Sequence, residues 1–172
     1  MSDEEKIILV DVNDQVVGSG EKIKVHQEGK LHRAFSIFVF NENGELLLQQ
    51  RAKTKYHCGG LWTNSCCSHP RFGENLAQAA LRRLKEEMGF TCEFEEVFSF
   101  IYQAEFANGL TEHELDHVFV GRYSGQPAVN PEEVEAWQWI FLADLQNNID
   151  ENPEDYTPWL KIIMAKYLDY LK

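Results

Sequence analysis

The sequence predicts an α+β domain, a mixed β-sheet sandwiched between helices, on three observations. Strand-like and helix-like segments intermix without regular alternation. Two stretches carry apolar residues at helical spacing beside residues that start or stop helices. The other apolar runs are short and bounded by turn-forming residues.

Lys6 to Asp11 and Phe35 to Phe40 are predicted strands. Asn41-Glu42-Asn43-Gly44 predicts a tight hairpin turn into a strand from Glu45 to Arg51, because Asn-Gly supplies the positive φ values such a turn needs. Glu93 to Glu105 and Glu114 to Tyr123 form a second strand pair, with Thr111-Glu112-His113-Glu114 as a solvated turn or a strand entrance. Glu135 to Phe141 is a further strand, with Trp137 and Trp139 on one face and Ala136, Gln138 and Ile140 on the other. The first helix is expected from about Glu74 to Met88. Leu76, Ala77, Ala80, Leu81, Leu84 and Met88 lie on one stripe, and Gly89 ends it. The second runs from Trp159 to about Leu171, with Pro158 at its start.

The length of 172 residues fits one domain over 1–172, with 1–5 as an acidic, flexible tail. A hydrophobic content of 44% with 12% aromatics supplies a core. The net charge of −12 argues against a nucleic-acid or anionic-membrane partner, since both need a basic footprint. A phosphorylated small molecule remains compatible, given a local basic cluster and a divalent cation. No apolar run is long enough to span a bilayer, and no segment resembles a secretory leader. Four cysteines, two of them adjacent, suit a reduced cytoplasmic compartment better than a disulfide framework.

The richest segment is Trp62-Thr63-Asn64-Ser65-Cys66-Cys67-Ser68-His69-Pro70, which sets two thiols and an imidazole in a polar turn just before a helix. A thiol there is expected to be reactive or metal-bound, its thiolate favoured by a nearby cation or a helix end. On the helix, Glu87 is the carboxylate turned toward the protein body, four residues from Arg83, while Glu86 points away. Glu112 and Glu114, two apart on a strand, face one way. Three imidazoles converging on them would make a mixed N/O site for Mn²⁺, Mg²⁺ or Zn²⁺, a convergence that spacing does not reveal. Arg51 to Lys55 is, by itself, a solubilising loop.

The run Ser68-x5-Glu74-x7-Arg82-Arg83-Leu84-Lys85-Glu86-Glu87-Met88-Gly89-Phe90 resembles a degenerate Nudix box, a loop–helix–loop that binds metal diphosphates. Ser68 stands where the box has Gly, and Arg83 where it has a metal-binding Glu. With Leu31-His32-Arg33-Ala34-Phe35-Ser36, the Cys67 segment, Glu112-x-Glu114 and Thr157-Pro158-Trp159, the whole chain resembles the type I isopentenyl-diphosphate Δ-isomerases, a Nudix-fold family.

That resemblance implies a Nudix-like sheet sandwiched between helices. It implies interconversion of isopentenyl and dimethylallyl diphosphate through a tertiary carbocation, in isoprenoid biosynthesis. Cys67 and Glu114 are implied as the proton carriers, in an order left open. His26, His32, His69, Glu112 and Glu114 are implied as ligands of one divalent metal, and Glu87 of a second, a Mg²⁺ bridging to the diphosphate. Lys22, Arg51, Lys55 and Arg83 are the implied cationic clamp. Tyr102 and Trp159 are the implied aromatic lining, Tyr102 alternatively holding Glu114 through its hydroxyl. A monomer or weak dimer is expected. Two other readings compete. One is a Nudix hydrolase of a nucleoside or prenyl diphosphate, disfavoured by Arg83. The other is a zinc-stabilised binding module on His57, Cys58, Cys66, Cys67 and His69, disfavoured because adjacent cysteines chelate one ion poorly.

Overall fold

The computed structural model describes residues 5–172. In chain order its elements are β1 (Lys6–Val10), β2 (Val16–Glu21), α1 (Lys22–Glu28), β3 (His32–Phe40), β4 (Leu46–Arg51), β5 (Trp62–Thr63), β6 (Cys66–Ser68), α2 (Leu76–Met88), β7 (Phe94–Glu105), β8 (Thr111–Arg122), β9 (Val134–Ile140), α3 (Leu142–Glu151) and α4 (Pro158–Lys166). The strands join one mixed sheet. β3 lies parallel to β8 along its whole length and antiparallel to β6, while β4 is antiparallel to β5 and β9.

Strand alternation puts two apolar faces on this sheet. Phe35, Ile37, Val39 and Leu47 pack under Ala79, Ala80, Leu84 and Met88 of α2. Phe38, Phe40, Leu46, Leu48 and Val118 pack under Leu145 and Ile149 of α3 and Leu160, Ile163 and Met164 of α4. The expected sheet between helices is therefore present, with α1 and α3 as helices additional to the two expected.

The Asn41–Gly44 turn forms, Gly44 at φ 80° and Asn41 Oδ1 accepting from the Asn43 and Glu45 amides. The hairpin then opens, because β3 and β4 pair only at Phe40 and Leu46. Residues 62–68 wedge into the gap. Thr63 pairs with Gln49 of β4, and Cys66 with Ile37 of β3. Ser65 closes the seam: its hydroxyl donates to the Leu47 carbonyl at 2.7 Å and accepts from the Val39 amide at 2.9 Å. The cysteine segment is thus buried sheet rather than a polar turn at the mouth of a helix.

Three further expectations are corrected. The α2 stripe is rotated: Ala79 and Glu87 are buried, whereas Ala77 and Leu81 are exposed. The last helix stops at Lys166, and a 3-10 turn carries Leu168–Leu171 back to the core. Glu5, counted with the tail, is tied to the body: its carboxylate accepts from Arg71 Nε at 3.0 Å and its carbonyl from the Lys22 amide at 3.1 Å. Residues 1–4 of that tail lie outside the described residues.

Both ends of α2 follow local rules. Asn75 Oδ1 accepts from the amides of Ala77 and Gln78, and Gly89 closes the helix in the left-handed region at φ 78°. A Cβ on Gly89 would also come within 2.3 Å of the Ala128 carbonyl oxygen. Gly89→Ala is therefore expected to lower stability by about 1–3 kcal/mol, read from urea unfolding midpoints. An unchanged midpoint would show that the 128 segment yields freely.

Candidate active site

The parallel ladder between β3 and β8 places His32 opposite Glu114. On the other side of β3, β6 places Cys67 opposite Ser36. Cys67 and Glu114 therefore flank one strand, and both line the same cleft. Alternation along β8 puts Glu112, Glu114 and Asp116 on one buried face. Thr111 to Glu114 is strand, paired with Glu105 to Tyr102 of β7, and not a solvated turn.

His26, His32, His69 and Glu112 converge, one ligand-grade atom of each lying within 4.8 Å of the others. His26 comes from α1 and His69 from the loop after β6. Glu114 joins them, with Oε2 2.7 Å from His69 Nε2 and 3.4 Å from His32 Nε2. The hydrogen-bond polarity of this cluster calls for a cation. His26 Nδ1 lies 2.6 Å from the Lys22 carbonyl and His32 Nδ1 2.9 Å from the Lys30 carbonyl. Carbonyls only accept, so both Nδ1 atoms carry a proton, and each Nε2, turned toward a carboxylate, must hold either a cation or a second proton. Those Nε2 atoms face Glu112 Oε1 at 3.1 Å and Glu112 Oε2 at 3.7 Å, where neutral rings would set acceptor against acceptor. Buried His32 Nε2 and Glu112 Oε2 have no hydrogen-bond partner.

The titration behaviour repeats that demand. Burial opposes a charge on His32, yet its contacts with Glu112 and Glu114 prevail and raise it to about 10. Burial also opposes ionisation of Glu112, but the surrounding His26, His32 and His57 hold it well below the usual carboxylate range. Glu114 is likewise lowered, its contacts with His32 and His69 outweighing burial and the neighbouring Glu112. Carboxylates and imidazoles arranged this way suit a divalent metal.

Cys67 behaves differently from expectation. It sits on a strand, and α2 begins only at Leu76. Burial pushes the thiol up to about 12, although the Arg51 guanidinium, with Nη1 3.8 Å away, favours the thiolate. Desolvation wins, so the resting group is a thiol. Cys66 points to the other face of the sheet and donates its thiol to Glu87 Oε2 at 3.3 Å.

The cationic residues line the cleft as a set: Lys22, Arg51, Lys55 and Arg83. Arg51 and Arg83 each keep a buried Nε without a partner, suited to an anionic ligand. Arg83 Nη2 holds Glu87 Oε1 at 2.7 Å, and Gln49 Nε2 donates to Glu87 Oε2 at 2.9 Å. Glu87 is only 2% exposed, while Glu86 is turned outward against Arg82 and Arg83. Arg51 and Lys55 are built into the cleft, so their segment is no mere solubilising loop. Trp159, in the first turn of α4, lines the cleft beside Arg51, whose guanidinium carbon lies 5.4 Å from its ring centroid. Asn64 Oδ1 fixes the indole by accepting from Nε1 at 3.2 Å.

The comparisons agree with this geometry. A model of the NUDIX domain family matches residues 30–160. The chain is 53% identical over 161 residues to an isopentenyl-diphosphate Delta-isomerase of Serratia proteamaculans, covering 94% of this chain and 90% of the relative. It is 54% identical over 161 residues to an isopentenyl-diphosphate Delta-isomerase 2 of Photorhabdus laumondii, covering 94% and 91%. The chain belongs to the isopentenyl-diphosphate Delta-isomerase family of Nudix proteins. Among solved structures, DR0079 of Deinococcus radiodurans superposes with a TM-score of 0.78 at 20% identity, over 95% of this chain and 99% of that one, a likeness of fold.

Of the site residues expected from sequence, Lys22, Arg51, Lys55, Cys67, His69, Arg83, Glu112, Glu114 and Trp159 line one cleft, whereas His26, His32, Glu87 and Tyr102 do not. Tyr102 stands behind Glu114 on β7 and donates its hydroxyl to Glu114 Oε1, the alternative role named for it. Burial, with Glu114 beside it, keeps that hydroxyl protonated by raising it well above its ordinary value. The zinc-thiolate module is excluded by placement: Cys66 and Cys67 face opposite sides of the sheet, and the converging cluster contains no cysteine.

Several functional-site residues were not singled out for these positions by sequence. Glu133 pairs with Lys55 and, at 3.3 Å, with Arg83. Asp116 accepts from Ser36 Oγ at 2.7 Å, and burial plus the adjacent Glu114 raises it well above the usual range. Its place two residues after Glu114 was the available signal. His57 reaches Glu112 from the β4–β5 loop, and nothing in its local sequence marks that contact.

Proposed function

We propose that this protein interconverts isopentenyl diphosphate and dimethylallyl diphosphate, with Cys67 and Glu114 as its proton carriers. The single observation that carries the assignment is that these two residues flank β3 on the wall of one cleft lined by four cations. An unactivated alkene is a poor base. Its isomerisation needs one group to deliver a proton to carbon and another to remove a different proton. One proton enters and one leaves, so the two groups exchange protonation states in each turnover. A buried thiol beside a buried carboxylate held in its ionised form supplies such a pair. The Tyr102 hydroxyl, bonded to Glu114, orients that carboxylate.

Lys22, Arg51, Lys55 and Arg83 bind the diphosphate, and the Trp159 face lies against the hydrocarbon, attracting the tertiary cation while excluding water. His26, His32, His69, Glu112 and Glu114 would hold one divalent ion, Mn²⁺, Mg²⁺ or Zn²⁺. Glu87 would hold a second ion, Mg²⁺, which would offset charge on the diphosphate. The ions supply electrostatic stabilisation of the diphosphate and of the ionised carboxylates. All four cysteines are free, in keeping with a cytoplasmic location, and no helix among the described residues is long and apolar enough to cross a membrane.

Incubation with isopentenyl diphosphate and Mg²⁺ in D₂O, followed by NMR, tests the activity. Deuterated dimethylallyl diphosphate without phosphate release is the expected result; phosphate release without isomerisation would move the protein to the hydrolases. Dialysis against a chelator is expected to abolish turnover. Restoring it with Mn²⁺, Mg²⁺ or Zn²⁺ in turn would identify the ion of the His/Glu site, and full activity in metal-free protein would remove that site from the reaction.

A further inference from the structure

Four histidines surround Glu112, and hydrogen-bond polarity sets His57 apart from His26 and His32. The Nη2 of Arg51 lies 3.4 Å from His57 Nδ1 and donates to the His57 carbonyl at 3.2 Å. A guanidinium only donates, so Nδ1 is the lone-pair side of this ring. His57 Nε2 therefore carries the hydrogen, and it meets Glu112 Oε1. His26 and His32 are oriented the other way round: each Nδ1 carries a hydrogen against a backbone carbonyl, and Nε2 is the atom turned into the cluster. His57 is also outside the converging ligand group. The ring is held in place by stacking on Phe106, centroids 5.1 Å apart, and by the edge of Trp159 at 5.8 Å. With Oε1 engaged, Glu112 Oε2 is the oxygen left buried without a partner.

We propose that His57 is a positioning residue that donates its Nε2 hydrogen to Glu112 Oε1, turns Glu112 Oε2 toward the metal, and ties the Arg51 guanidinium to the metal site. The proposal rests on reading the His/Glu cluster as a metal centre. A donor to a ligating carboxylate fixes its orientation, and loss of such a partner typically costs about 10–100-fold in metal affinity.

The test is Mn²⁺ alone titrated into the full-length protein without diphosphate, with free Mn²⁺ read by electron paramagnetic resonance. His57→Ala is expected to weaken binding about 10–100-fold. His57→Gln, whose amide NH₂ can take the place of Nε2, is expected to recover most of the affinity. His57→Asn, which restores only an acceptor on the Arg51 side, is expected not to. Thermal melts of the metal-free variants show that each is folded; if the alanine variant does not fold, the Gln–Asn comparison decides. Equal affinity in wild type and His57→Ala, or equal losses in the Gln and Asn variants, would overturn the proposal. A wild-type protein that takes up no Mn²⁺ would overturn the metal-centre reading and this inference with it, which distinguishes the two failures.

Discussion

Cys67→Ala is expected to lower kcat by about 10³-fold or more while leaving the thermal midpoint close to that of the wild type. Proton transfer by a positioned side chain contributes about 10²–10⁴-fold, and an alkene carbon offers water no comparable route. The nearest other thiol, Cys66, points to the opposite sheet face and bonds Glu87, so it has no access to the cleft. The substitution keeps the β6 backbone pairing with β3 and leaves Arg51 and Trp159 in place. Isopentenyl diphosphate turnover measured beside inorganic pyrophosphate binding gives the readout. Turnover should collapse with binding retained, and turnover near the wild-type rate would remove Cys67 from the chemistry.

Glu114→Gln is expected to act twice. The side chain keeps its size and its contact with Tyr102, but it loses a charge that faces His32 and His69. Metal content after dialysis should therefore fall. Assayed again with metal in excess, the variant should still run about 10²–10⁴-fold slower, because an amide neither delivers nor removes a proton at neutral pH. Full recovery with added metal would confine Glu114 to holding the ion. The parallel variant Glu112→Gln separates the roles further: it should lose metal, yet recover more of its rate in excess metal.

What was legible in the sequence was local or carried by short motifs. The 3.6-residue periodicity marked α2, and Gly89 marked its end, because both depend on neighbours within a turn or two. Asn43-Gly44 marked a turn for the same reason. Yet periodicity placed the stripe one position off, counting Ala77 and Leu81 as core. The packing of Phe35, Ile37 and Leu47 decided which side of α2 is covered. Glu87 was recognised as inward-facing from its place on the helix, and its burial bears that out.

The sequence by itself determined the inventory: a sheet between helices, a thiol, paired carboxylates, histidines and four cations in an acidic chain. Only the tertiary structure decided how these groups act on one another. The hairpin opens past Phe40 and Leu46, and β6, carrying the cysteine segment, pairs with β3 where β4 does not. Burial then made Cys67 a thiol where sequence suggested a thiolate, and β7 put Tyr102 behind Glu114 rather than in the cleft. Protonation state and tautomer depend on desolvation and on partners far along the chain, such as Arg51 and Glu112 for His57. Spacing along a strand or helix carries no record of either, since both arise only when distant segments close around the same water-poor cleft.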